Sequence, residues 1–394
     1  MSSIFSSSFT PNYSFSKSRK NSFPNYIQGS SHPYSKKHIF TKERPDIFSI
    51  ITIGEPIVDI ISEIDQSLVN KYNLKFGDTI LIDENLKDEN IGFYKDLENL
   101  PAVSYIPGGS IQNTMRVLSW CLNMEPETRK QFQVSMLGSI GEDVYKIKLL
   151  NALKDIGVNP ILETLKGEKT SRCGVGVYQK EKLFVTQIRA SKKLSEKFIE
   201  DQWSQIIQHQ ALLIEGYMIN NKYNICKNVC EYFRRENRLI VLTLSAPFII
   251  KLHYDKLIEL ANEADIIAGN MMEAITFANI GERENREIFD NILGKLKPKE
   301  KRLLVITDGA NGVHCSEYDY MNRKLEYTTQ YFAPKIKDEL IRDFNGAGDA
   351  FLGGFLSQYM KGYSIKDCCK IGIKAASVIL KNVGCTFKKD YNLL

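Results

Sequence analysis

Six short apolar runs, each followed by a turn signal and then a helical stretch, constrain this 394-residue chain most. They lie at 47–53, 132–137, 211–216, 239–244, 264–268 and 303–307. Runs of this length without polar–apolar alternation predict strands buried on both faces. Alternation of such strands with helices predicts an α/β fold of three layers, with a central, mostly parallel sheet between helices. The first run ends at Gly54 and the second at Gly138, with a helix over 143–156. The last two helices are predicted over 347–361 and 365–381.

Two segments break the rhythm. Residues 60–106 contain Asp78-Thr-Ile-Leu-Ile-Asp83, and 161–188 contain Cys173-Gly-Val-Gly-Val-Tyr178. Their alternation predicts short half-exposed strands, which together make a small second sheet over one end of the large one. Residues 1–44 differ again. They are rich in Ser, Asn, Lys and aromatic residues, with no acid before Glu43, so 45–394 is read as the folded domain. The tail reads as disordered, with targeting (a mitochondrial transit segment) and docking on a protein partner as alternatives.

Composition mainly excludes. Lys and Arg exceed Asp and Glu by 52 to 47, a net charge of +5 that gives no reason to expect nucleic acid. No apolar run approaches the ~20 residues of a membrane span. The eight cysteines show no C-x-x-C spacing, and the five histidines are scattered. Reduced thiols and a cytoplasmic location are expected, with a mitochondrial or assembly-associated location as the alternative.

Five motifs carry chemistry. Asp343-Phe-Asn-Gly-Ala-Gly-Asp349 runs straight into an apolar helix. Gly346, Ala347 and Gly348 leave backbone N–H groups free at a helix N-terminus, where the dipole favours an anion. Asp349, in the first turn, is placed to take a proton from an attacking hydroxyl. Asn270-Met-Met-Glu273 follows a strand; Asn270 and Glu273 suit ordering magnesium-bound waters, or a plain capping box. Thr307-Asp-Gly309 ends another strand. Gly108-Gly-Ser-Ile-Gln-Asn113 precedes a helix expected over 114–122, and its glycines permit close backbone approach to a ligand. Gly54-Glu-Pro-Ile-Val-Asp59 puts a carboxylate just past a strand end.

These motifs, in this order, resemble the adenosine kinases of the ribokinase-like family over about 50–387. Thr243-Leu-Ser-Ala-Pro-Phe248 and Gly384-Cys-Thr-Phe387 add to the likeness. The resemblance implies a ribokinase-like fold whose small β sheet is a lid over the nucleoside. It implies ATP and Mg²⁺ as cofactors, adenosine or a related nucleoside as substrate, and AMP as product in purine salvage. It makes Asp349 the base and Gly346, Ala347 and Gly348 the anion hole. Asp59, Gly108, Gly109, Ser110 and Asn113 would hold the ribose, and Tyr217 would lie near the purine. Asn270, Glu273 and Asn345 would serve the phosphates, with Glu273 reaching the metal through water. Thr307, Gly309 and Ala376 would lie near the ATP base.

The sequence departs from the family chiefly on the nucleoside side. Glu55 stands where Asn is usual, Phe344 replaces a small Thr, Thr243 replaces an Asn, and Lys182 takes the place of an Arg. Gln187 and Arg189 replace small or neutral lid residues, and Arg189 with Glu55 reads as a compensating pair. Two alternatives follow: a weakened kinase fold serving as a structural subunit of a larger assembly, or a kinase for another nucleoside or sugar.

Overall fold

The computed structural model describes residues 48–76, 79–82, 91–124, 132–178, 181–281, 283–299, 301–391 and 393. The expected tail at 1–44 lies outside them. The strands are β1 Phe48–Ile53, β2 Ile57–Glu63, β3 Thr79–Leu81, β4 Ser104–Gly108, β5 Phe132–Gly141, β6 Val158–Leu165 and β7 Ser171–Tyr178. They continue with β8 Glu181–Gln187, β9 Ala211–Glu215, β10 Leu239–Thr243, β11 Ile266–Asn270, β12 Leu303–Thr307, β13 Val313–Asp319 and β14 Lys324–Tyr331.

Nine strands form the large sheet in the order β14-β13-β12-β11-β10-β9-β1-β5-β6. From β6 to β12 neighbours run parallel, and β13 and β14 close one edge as an antiparallel pair. The central runs are apolar throughout because both faces are covered. In β9, Leu212 and Ile214 join one buried cluster while Ala211 and Leu213 join the cluster on the opposite face. That division follows from the two-residue side-chain period of a strand.

The chain order reverses at β1, which pairs with β9 on one side and β5 on the other. In open parallel sheets the crevice outside the carboxyl ends of the strands, at such a reversal, is where ligands bind. Gly54, Glu215, Asn270 and Thr307 all lie at those ends.

Five strands make the small sheet, in the order β3-β8-β7-β2-β4. Its inner face packs on the helices Gln66–Lys71 and Ile91–Glu98 through Ile60, Val69, Phe93, Tyr94, Leu97 and Leu183.

The elements differ from expectation in several places, the first being that the segment 60–106 holds the helices Gln66–Lys71 and Ile91–Glu98 as well as strands. Strand β5 does not stop at Gly138 but runs to Gly141. Both glycines serve close packing: a β-carbon on Gly138 would lie 2.7 Å from the Gly54 carbonyl, and one on Gly141 2.4 Å from the Lys169 backbone. Residues of the second irregular segment before 166 belong to β6, which extends the large sheet beside β5, so the small sheet takes up that segment only at Ser171. The helix expected over 114–122 begins earlier, as Ser110–Asn123, because Gly109 takes a φ of 85° and turns the chain directly into it.

Candidate active site

The helix Ala347–Tyr359 starts from Gly346, whose φ of 78° an L side chain rarely adopts. A β-carbon there would also meet Cβ of Cys385 at 2.8 Å. Asp343 shapes the approach to this turn. Its Oδ1 accepts from Asn345 N at 3.0 Å and Asn345 Nδ2 at 2.9 Å, and its Oδ2 accepts from Gly384 N at 2.6 Å. The helix then begins with N–H groups that have no intrahelical partner and that point, with the dipole, toward any anion placed there.

Asp349 lies in the first turn. Ser110 Oγ donates to its Oδ1 at 2.7 Å, and Asn113 Nδ2 donates to its Oδ2 at 3.2 Å. Packed protein around the carboxyl raises its pKa to about 6, against the lowering effect of those two donors. Such a carboxylate is ionised at neutral pH yet a better proton acceptor than an exposed one.

A cavity of about 180 Å³ opens in front of it, lined by Ser110, Thr243, Asn270, Glu273, Thr307 and Gly348 among others. At its side, Asn270 and Glu273 form a full capping box. Glu273 N donates to Asn270 Oδ1 at 2.9 Å and Asn270 N to Glu273 Oε2 at 3.0 Å. The Glu273 pKa is raised to about 7, by burial first and also by the nearby Asp349 charge, against the lowering effect of the cap N–H.

Asp59 lies on β2, opposite Ile106 of β4. It is pushed up to about 7 by burial, partly offset by the Arg116 guanidinium. Arg116 donates to Cys385 O at 3.1 Å, tying the double-glycine helix to the segment beneath Gly346.

The structure thus brings Ser110, Asn270, Glu273, Thr307, Gly348 and Asp349 to one cavity. Gly108, Gly109, Asn113 and Asp59 sit alongside, joined through the Asn113 bond to Asp349. Tyr217, half-buried with its ring 6.1 Å from that of Phe248, feels the charges of Glu273 and Asp349. Asn345 lines a second cavity, with Lys182 and Arg342. Gly309 stands in the turn after β12, and Ala376 packs half-buried against the core from the helix Ile365–Ile379; neither lines either cavity.

Two features escaped the sequence reading. Glu215, at the end of β9, is only 3% exposed and leaves Oε2 without a hydrogen bond. Burial first, then the charges of Glu55 and Asp349, raise its pKa well above the usual carboxylate range. Lys222 and Lys192 are cations beside Glu55, and Asn221 donates to it. Lys222 reaches that place from a break inside the helix Met218–Arg235, where its φ is −130°.

Comparison with known proteins places the chain. Residues 70–391 match the pfkB family of carbohydrate kinases. Adenosine kinase 2 of Arabidopsis thaliana is 30% identical over 87% of this chain and 97% of its own length. Adenosine kinase of Dictyostelium discoideum is 28% identical, over 86% and 96%. Among solved structures, Anopheles gambiae adenosine kinase with P1,P4-di(adenosine-5) tetraphosphate superposes with a TM-score of 0.74 at 27% identity, covering 85% of this chain and 96% of that one. Schistosoma mansoni adenosine kinase with 2-fluoroadenosine gives 0.73 at 27%, covering 86% and 98%.

Proposed function

We propose that this chain, which belongs to the pfkB family of carbohydrate kinases, moves the γ-phosphate of ATP onto the 5′-hydroxyl of adenosine. The observation that carries the reading is Asp349, held by Ser110 and Asn113 where the helix Ala347–Tyr359 begins and facing the cavity. Relatives named adenosine kinase, matched over nearly their full length, support the choice of substrate.

In this reading the Asp349 carboxylate takes the proton of the 5′-hydroxyl as its oxygen bonds to the γ-phosphorus. The bond to the β-bridging oxygen breaks and ADP leaves. The N–H groups of Gly346, Ala347 and Gly348 hold the charge spread over the transferring oxygens. Asp59, Gly108, Gly109, Ser110 and Asn113 hold the ribose, and Tyr217 lies against the purine. Asn345 and Thr307 serve ATP, with Gly309 and Ala376 toward its base.

The donor set also fits Mg²⁺. One cavity-facing carboxylate, Glu273, stands beside an amide, Asn270. Magnesium is usually held by one or two carboxylates, waters and substrate phosphates rather than by a protein cage. Bound there, it would neutralise phosphate charge; Glu273 and Asn270 would orient its waters.

No helix of the described residues is long and apolar enough to cross a membrane. The eight cysteines are buried free thiols, which supports a reducing compartment, and we keep the cytoplasm. The deciding experiment incubates the purified full chain with adenosine, ATP and Mg²⁺. AMP and ADP should form one for one; no AMP above the rate without protein would overturn the reading.

A further inference from the structure

The carboxylate of Asp343 has partners beyond those its own loop supplies. Lys182, on β8 of the small sheet, forms an ion pair with Asp343 Oδ2. The two side chains are 9% and 3% exposed. Desolvating two charges is costly unless the geometry is good and the remaining lone pairs are filled. Here they are filled: Asn345 N, Asn345 Nδ2 and Gly384 N donate to the same carboxylate. Asp343 therefore joins three parts of the molecule: the small sheet through Lys182, the turn into Gly346 through Asn345, and the segment that packs under Gly346 through Gly384.

We propose that Lys182 is a positioning residue, a latch that passes the placement of the small sheet to the turn at 345–348. The inference rests on the reading of that turn as the phosphate-holding element. With the latch made, the ammonium holds the Asp343 carboxylate in place, and that carboxylate orients Asn345 and the Gly346 turn. With the latch broken, Asp343 becomes a buried charge without a cation, and its grip on Asn345 and Gly384 loosens. The latch also reaches the ribose side. The Asp343 charge raises the pKa of the Asp59 carboxyl and Lys182 lowers it, the Asp343 effect being the larger.

The direct test needs no catalysis. Hydrogen–deuterium exchange of the unliganded full chain is compared with that of Lys182→Met. Exchange at the amides of Asn345 and Gly384 should quicken about tenfold, with the central strands β1 and β9 unchanged. Unchanged exchange at both amides overturns the latch, whatever the enzyme's activity. Where Lys182→Met does not fold by circular dichroism, Lys182→Gln serves the same comparison.

Kinetics provide the second arm. Lys182→Met should lower kcat about tenfold, since misplacing a catalytic element costs rate more than affinity, while KM for adenosine changes less than threefold. The double variant Lys182→Met, Asp343→Asn should be no slower than the slower single variant. Losses that multiply would mean that Lys182 acts on the nucleotide directly, and would overturn the proposal. A wild-type chain that makes no AMP but shows the exchange change would overturn the proposed function and leave the latch standing.

Discussion

The Asp59 carboxylate occupies the space that a side chain on Gly108 would fill: a β-carbon on Gly108 would lie 1.9 Å from Asp59 Oδ1. The two residues sit on neighbouring antiparallel strands, β2 and β4, with Gly108 opposite Ile57. The glycine is therefore required by its neighbour rather than by its own backbone angles. Gly108→Ala should push Asp59 out of place. KM for adenosine should rise roughly tenfold or more, each tenfold being about 1.4 kcal/mol of lost binding, while ATP affinity by calorimetry stays the same. An unchanged KM would remove Asp59 from the ribose contacts.

The base assignment is tested by substitution. Asp349→Asn should keep the bond from Ser110, since an amide oxygen also accepts, but it cannot take up a proton. The kcat should fall by about 10²–10⁴-fold, with ATP still bound. A variant with near wild-type kcat would take Asp349 out of the mechanism.

The same residue sets a pH profile. The base works only when ionised, and its pKa stands at about 6. Measured kcat/KM should therefore fall as pH drops, by at least tenfold per unit below about pH 6, where the Asp59 and Glu273 carboxyls of the same site are protonated too. A profile level down to pH 4.5 would mean that no group with this pKa matters to the step.

Much of this site was legible because its parts are local. The turn Asp343-Phe-Asn-Gly-Ala-Gly-Asp349 contains its own helix start and its own carboxylate, and the capping box of Asn270 and Glu273 is a four-residue pattern. The buried runs betrayed the central strands because both faces of that sheet are covered. What was not legible depends on distant partners. Glu215 reads as the polar end of an apolar run; it is buried where β9 pairs with β10 and where the backbones of Glu55 and Ile111 meet its carboxyl. The break at Lys222 that sets a cation beside Glu55 leaves no signal in a helix-forming stretch. Gly138 reads as a strand end because glycine commonly marks turns; its role against the Gly54 carbonyl appears only when two strands meet.

The metal reading separates from the capping box by one variant. Glu273→Gln retains an oxygen that can accept from Asn270 N, so the cap survives and thermal stability should change little. It removes a negative charge beside the cavity. The Mg²⁺ concentration for half-maximal rate should rise several-fold, by about the effect of one lost charge on water-bridged Mg²⁺. An unchanged Mg²⁺ dependence would leave Asn270 and Glu273 as a helix cap alone.

The buried acid Glu215 makes a prediction about stability rather than rate. Its pKa in the folded chain lies well above its ordinary value of 4.5, chiefly through burial. Between these two values the folded state holds a proton that the unfolded chain has released. The folded state then binds more protons than the unfolded one, so stability falls as pH rises through that window. Below the unfolded pKa both states are protonated and the penalty vanishes. Glutamine has nearly the shape of the protonated acid, keeps an oxygen for the backbone donors of Glu55 and Ile111, and cannot ionise. Every other titrating group is common to the two proteins, so the difference in Tm between Glu215→Gln and wild type isolates this one. That difference should be smallest at pH 4, below the unfolded pKa, and clearly more positive at pH 8. An equal difference at both pH values would mean that Glu215 ionises as readily in the fold as in the unfolded chain, and that its unpartnered Oε2 reaches water.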